Sequence, residues 1–141
     1  MTDLDWLLAK GFVPVGFWSA QASKLHAPLL ERVPGIYAYL VGARIRYIGK
    51  ATRLRSRVRS YNRALAAPTG REFRGVHHGI LRAWRAGKKI DVWVYKLIGS
   101  DGSLLALETR LIAEKRPAWN GGMTVEHSLV GIANAHNPDP D

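Results

Sequence analysis

Apolar and polar positions along this chain recur with two different periods, and each change of period marks an element. Leu4, Trp6, Leu7 and Leu8 fall at helical spacing between Thr2 or Asp3, either of which can cap a helix, and Gly11, which can end one. An aromatic stretch broken by proline and glycine follows through Trp18, and residues 20 to 32 read as a second helix. Residues 35 to 41 and 45 to 49 are rich in Ile, Val and Tyr, as strands are, and Gly42 between them can take the positive φ of a tight turn. Thr52 is placed to cap a helix reaching about Ala66, whose inward stripe is Leu54, Val58, Tyr61 and Leu65. Residues 68 to 75 read as a loop, 76 to 86 as a helix ended by Gly87, and 90 to 97 as a third strand. Ser103 then caps a helix over 104 to 115, closed by Pro117, and the tail from Gly121 reads as loop with one helical turn near 125 to 132.

The two tyrosine-bearing strands raise a question of register. With a three-residue loop, 42 to 44, Val41 lies opposite Ile45, Tyr39 opposite Tyr47 and Tyr37 opposite Gly49, so all three tyrosines share one face. A two-residue loop would separate them. The other face then carries Ile36, Ala38, Leu40 and Ile48, which suits packing against helices.

Charge narrows the range of functions. The formal net charge is +10, and residues 41 to 96 hold fifteen Lys and Arg against only Glu72 and Asp91, whereas residues 121 to 141 hold no Lys or Arg. A field so local points to a polyanion, and arginine, which dominates it, matches phosphate geometry. A solvated basic surface or an anionic membrane surface are the blander readings. Arg53, Arg55 and Arg59 project around the polar side of the expected 52 to 66 helix; Arg57, at the border of its buried stripe beside Tyr61, can face a cleft. His77, at a helix start near that cleft, is a candidate phosphate contact or a surface residue. With no cysteine there are no disulfides or thiolate metal sites, and neither His77 nor His78 has neighbours at zinc-ligand spacing. No basic n-region of a signal peptide precedes the first helix and nothing reaches transmembrane length, so the expectation is a cytoplasmic protein with no membrane partner.

Glu108 breaks the apolar pattern. It lies four after Leu104, three after Leu105, three before Leu111 and four before Ile112, so helical geometry turns its carboxylate inward. A buried charge is costly unless it is paired or bound to metal. Two explanations stand: a salt bridge to an arginine, or a magnesium site in which one carboxylate is completed by water and substrate phosphate. Asn120 is readable equally as a turn residue before Gly121 and as part of a site.

Gly35-Ile36-Tyr37 and Tyr47-Ile48-Gly49, with Arg57 eight after Gly49, Tyr61 four later, and Glu108 and Asn120 twelve apart, resemble the ordered motif set of the GIY-YIG nucleases. Lys50-Ala51, Leu54 and Ser60-Tyr61 look particularly like the nuclease domain of the bacterial excision-repair incision protein. The resemblance implies a small α/β (α+β) module with a three-stranded antiparallel sheet and packed helices. On that reading residues 1 to 141 form a single GIY-YIG domain, with an extension over 1 to 32, a catalytic core over 33 to 120 and a tail over 121 to 141. It implies hydrolysis of DNA, duplex or branched and single-stranded, with one divalent metal, Mg²⁺ or alternatively Mn²⁺, on Glu108. Arg57 would then contact the scissile phosphate, Tyr37 act as or help form the general base, and Tyr47 and Tyr61 bond water, phosphate or base. Asn120 would support the architecture and Lys50 touch phosphate. A restriction-type enzyme, as a homodimer if it cuts both strands, and a repair nuclease both fit. A noncatalytic nucleic-acid-binding module with the same fold, or an activity on RNA, are the competing readings.

Overall fold

The computed structural model describes residues 1–19, 24–66, 75–99 and 102–123. In chain order these form helix α1 (Asp3–Lys10), strands β1 (Val13–Trp18), β2 (Gly35–Val41) and β3 (Arg44–Ala51), and helices α2 (Leu54–Ser60), α3 (Arg63–Ala66) and α4 (Gly75–Arg85). Strand β4 (Ile90–Lys96), helix α5 (Leu104–Lys115) and a 3₁₀ helix (Ala118–Met123) follow. The expected turn of helix near 125 to 132 and the turn residues Ser100 and Asp101 lie outside the described residues.

Several boundaries follow their local chemistry. Thr2 and Asp5 form a capping box at the start of α1, and Gly11 ends it at φ +92°. Ser103 Oγ accepts from the Ala106 N–H at 3.1 Å and starts α5. The helix expected over 52 to 66, however, starts without Thr52. The Leu54 and Arg55 amides instead donate to the Val33 and Glu31 carbonyls at 2.9 and 3.0 Å, so the preceding chain satisfies the orphan donors. That helix is also two pieces. At its break Asn62 Oδ1 accepts from Trp18 Nε1 at 2.8 Å and from the Leu25 amide at 2.9 Å, and the backbone passes through i→i−3 bonds.

The sheet has four antiparallel strands in the order β1-β4-β2-β3, one more than expected. The added strand is β1, whose period Pro14 and Gly16 obscure; the sheet tolerates them because β1 is an edge with an irregular register between those residues. Helix was also expected over 20 to 32. In the described part of it, His26 and Phe17 exchange backbone hydrogen bonds of 2.9 Å as an isolated bridge, and no helix forms among residues 24 to 32.

The β2–β3 register corrects the expected loop while preserving its consequence. The turn is the two residues Gly42 and Ala43, at φ +59° and +64°, with Val41 opposite Arg44 and Leu40 opposite Ile45. One extra residue, Arg46, is then absorbed in a bulge, and Tyr39 meets Tyr47 and Tyr37 meets Gly49. Without the bulge Ile45 or Tyr47 would have to leave its layer. With it, Ile36, Ala38, Leu40, Ile45 and Ile48 pack with Trp6, Leu7, Phe12 and Leu111 on one face. Tyr37, Tyr39 and Tyr47 pack with Trp18, Leu54, Val58, Tyr61 and Ile80 on the other.

Two polar contacts fasten the helical layer and the open edge. Asp3 Oδ2 accepts from the Ile45 amide at 2.8 Å and Asp3 Oδ1 pairs with Lys115 Nζ at 2.6 Å, joining α1, β3 and α5. Burial pushes the Asp3 carboxyl up, but the bonds from Lys115 and Ile45 and the charges of Lys115 and Arg44 outweigh it and hold the group below its ordinary value. At the free edge of β3, the Asn120 amide donates to the Ile48 carbonyl at 2.9 Å and its Oδ1 accepts from the Ile48 amide at 3.1 Å. One side chain thus stands in for a neighbouring strand.

A carboxylate depressed by folding stabilises above its unfolded pKa, and the contribution is lost as pH falls through the folded value. Asp3→Asn is therefore expected to cost about 1 kcal/mol in urea melts at neutral pH, with the gap to the native sequence closing below about pH 4. Asn120→Ala, which strands both polar groups of Ile48, is expected to cost about 2–3 kcal/mol in the same melts at every pH.

Candidate active site

Four tyrosines form a layer on the inner face of the hairpin. Tyr37, Tyr39, Tyr47 and Tyr61 are at most 1% exposed, and the Tyr37 ring centroid lies 5.3 to 5.9 Å from the other three. The Tyr37 and Tyr61 hydroxyls share a hydrogen bond of 2.8 Å. Gly49 makes this packing possible. A Cβ at that position would lie 2.6 Å from both Cζ and Oη of Tyr37 and 2.9 Å from the Tyr47 ring, so any side chain would displace the phenol. The end of the second triplet is glycine because the end of the first is tyrosine.

His77 belongs to this layer and not to the surface. It is 4% exposed, with its ring centroid 4.9 Å from that of Tyr61, which corrects the expectation of a phosphate contact or surface residue. The first turn of α4 carries it inward together with Val76.

Beside the layer, where β3 ends and α2 begins, an open groove of about 310 Å³ is lined by Ala51, Thr52, Arg53, Ser56, Arg57, Ser60 and Arg63. Arg57, expected at a cleft, lines it, and so does Arg53, expected on the polar side of the helix. Arg63 and the three hydroxyl residues were not anticipated, although positions 53, 56, 57, 60 and 63 form a polar stripe at helical spacing that only a search of the solvent face would notice. Ser60 Oγ donates to the Arg57 carbonyl at 2.5 Å. With the Ser60 hydroxyl so engaged, Thr52 and Ser56 are the hydroxyls, beside the guanidinium groups, that such a surface brings to an oxyanion. Arg55 serves the fold instead. Its Nε donates to the Leu30 carbonyl at 3.0 Å, so it holds the preceding segment against α2, a correction to its reading as a nucleic-acid contact. Arg59 is exposed on α2 but outside the groove lining. Lys50 pairs with Ile36 and, by strand alternation, leaves the sheet on the side opposite Tyr47 and Gly49.

Glu108 is 3% exposed and, with Leu111, is one of the two buried residues of α5, the helix packed on β3. The inward orientation read from its spacing is therefore correct. Among the described residues no three His, Cys, Asp or Glu side chains gather into a metal cluster. A resident ion would thus rest on this single hard carboxylate, a donor set that fits a cation keeping most of its coordination sphere as water or substrate oxygen. Asn120 meets β3 from its edge at Ile48, the residue between Tyr47 and Gly49. The side chain, expected to close a turn before Gly121 or to belong to a site, here bonds both backbone groups of Ile48 and so braces the strand that bears the second triplet.

Comparison with known proteins bears on the whole arrangement. UvrABC system protein C of Haloquadratum walsbyi is 31% identical over 122 residues, covering 79% of this chain and 18% of that protein. The chain spans less than a fifth of the length of the curated relatives it matches. Among solved structures, a mutant of bacteriophage T4 EndoII superposes with a TM-score of 0.67 at 17% identity, covering 85% of this chain and 99% of that one, a likeness of fold. The GIY-YIG N-terminal endonuclease domain of UvrC from Thermotoga maritima, bound to magnesium as its catalytic divalent cation, is 26% identical with a TM-score of 0.46, covering 65% of this chain and 88% of that one. Residues 33–121 match the family of the UvrC-like GIY-YIG domain. With both triplets on adjacent strands and Gly49 fitted against Tyr37, the chain belongs to the GIY-YIG family.

Proposed function

We propose that this chain is a divalent-metal-dependent DNA endonuclease, and that the observation carrying the reading is the arginine and hydroxyl groove where β3 ends and α2 begins. Its lining residues Arg53, Arg57 and Arg63 supply positive charge where a phosphodiester would lie, and Arg57 belongs to the helix whose C-cap, Tyr61, meets the Tyr37 hydroxyl. Membership of the GIY-YIG family supports a hydrolytic role, and the net charge of +10 supports a polyanionic substrate.

The role of each residue follows from its chemistry. Arg57 presents two N–H donors to the scissile phosphate and offsets the charge that develops as water adds to phosphorus. Tyr37 accepts the proton of the attacking water. A phenol ordinarily titrates at about 10, so this role needs a cationic surround that favours the phenolate, which the arginines of the groove and a bound metal would have to supply. Tyr61, at 2.8 Å, holds the Tyr37 oxygen in position, and Tyr47 packs the ring from β3. Glu108 would hold Mg²⁺, or Mn²⁺, which accepts the same oxygen donors. When bound, the ion stabilises the departing 3′ oxygen. The P–O3′ bond breaks, leaving a 5′-phosphate and a 3′-hydroxyl that takes up a proton. Cutting both strands requires two such sites, hence two copies of the chain or two successive encounters. A restriction-type and a repair or structure-selective role differ in where the cuts fall, and mapping ends from a randomised duplex library separates them.

Supercoiled plasmid with Mg²⁺ tests the central reading. The native chain is expected to nick or linearise it, while Glu108→Ala and Tyr37→Phe lower the rate by about 100-fold or more and keep duplex affinity. Equal cleavage by the native chain and Glu108→Ala would overturn the assignment; binding without cleavage by the native chain would leave a noncatalytic module. Gly49→Ala, whose added methyl meets the Tyr37 hydroxyl, is expected to lower the cleavage rate by about tenfold or more and alter the near-ultraviolet dichroism of the tyrosines, with duplex affinity retained.

A further inference from the structure

A second basic surface lies at the other end of β3, away from Arg57. Arg44 and Arg46 from the hairpin, Arg82 from α4, and Lys88 and Lys89 from the turn after α4 line two adjoining grooves of about 520 and 280 Å³, which share Arg46 and Lys88. These residues are distant in sequence, and the turns at Gly42 and Gly87, both at positive φ, bring them together. Arg46 is the extra residue of the β3 bulge, and a bulge re-aims the side chain it inserts. One carboxylate, Asp91, shares the surface, and Lys89 Nζ already lies 3.4 Å from it. Among the described residues the ion pairs involve none of Arg46, Arg82 and Lys88. Like charges gathered this closely repel one another, and a polyanion relieves the repulsion.

We propose that this surface is a second contact for the backbone of duplex DNA. Seven steps along β3, shortened slightly by the bulge, separate Arg44 from Ala51 at the first groove, at most roughly 23 Å at 3.3 Å per residue. That is about seven base pairs of duplex at about 3.4 Å each, so one duplex reaches both surfaces. A single strand fits less well. Trp119, the one aromatic residue in the lining, has its ring against Gly79, where even a Cβ would overlap it, so it is engaged with α4 and not presented for base stacking. Arg46, Arg82 and Lys88 read no sequence here; they fix the duplex so that a bond several base pairs away meets Arg57. The assignment of the cutting end rests on the function proposed above, whereas the contact itself does not.

The test is anisotropy of a labelled duplex of about 30 base pairs with the full chain in EDTA, titrated between about 50 and 200 mM salt. The triple variant Arg46→Gln, Arg82→Gln and Lys88→Gln is expected to bind at least about tenfold more weakly, with the log-log salt slope flattened by about 2.7, or 0.9 for each of three phosphates. The charge-conserving variant Arg46→Lys, Arg82→Lys and Lys88→Arg is expected to keep the native slope, which separates charge from any loss of fold, itself followed by thermal melting. An unchanged slope in the glutamine variant overturns the proposal. So does loss of binding to phosphatidylserine vesicles with duplex affinity intact, or an equal loss on single-stranded and duplex DNA. If the slope changes as expected but the native chain leaves plasmid uncut in Mg²⁺, the second contact stands and the nuclease reading falls.

Discussion

The single extra residue of β3 sets which side of the hairpin each side chain occupies. Strand side chains alternate with a strict period of two, so a two-residue turn that places Ile45 in the helix-packed layer would, in an unbroken ladder, place Tyr47 there too, out of reach of Tyr37. The bulge at Arg46 resets the count. Beyond it Tyr47 and Gly49 stand with Tyr37, and Ile48 stands with Ile36 and Ala38. The tyrosine layer, the fit of Gly49 and the basic surface at the hairpin tip all depend on that one insertion.

What the sequence disclosed, and what it withheld, follows the range of the interactions involved. Helices α1 and α5 were legible because their signals are local: Thr2 and Asp5 at one start, Ser103 at the other, Gly11 at an end. Glu108 was legible because apolar neighbours three and four residues away on the same helix fix its direction. Strand β1 was hidden because Pro14 and Gly16 interrupt its pattern and its partner β4 lies far along the chain. The start of α2 was misread for a similar reason, since carbonyls at Glu31 and Val33, far outside the helix, do what Thr52 was expected to do. The hairpin was read incorrectly in turn length and at its tip, where Val41 pairs with Arg44 and not with the expected Ile45, but correctly for Tyr39 with Tyr47 and Tyr37 with Gly49, because parity alone cannot tell a longer loop from a bulge. His77 was placed outside because nothing in its sequence neighbourhood reports the Tyr61 ring that covers it.

The polar groups of this fold are arranged so that burial works with the chemistry. The hydroxyls of Tyr37 and Tyr61 satisfy each other inside the tyrosine layer, while Arg53, Arg57 and Arg63 line an open groove that water can reach. Asp3 and Asn120 brace β3 from two sides, one at Ile45 before the bulge and one at Ile48 after it. The strand that carries the second triplet is thereby clamped on both flanks of its irregularity, and the spacing between Tyr47 and Gly49 is held against slippage.

The Asn120 contact also restricts how two copies of this chain could meet. An edge strand with open amide and carbonyl groups is a template for a neighbouring molecule to extend the sheet, and uncontrolled extension is a route to fibres. At Ile48 that template is already occupied by a side chain of the same molecule. Self-association through continuous pairing along β3 is therefore blocked at the strand that bears the tyrosine triplet, and among the described residues the other sheet edge is β1, where Pro14 and the broken register make a poor template.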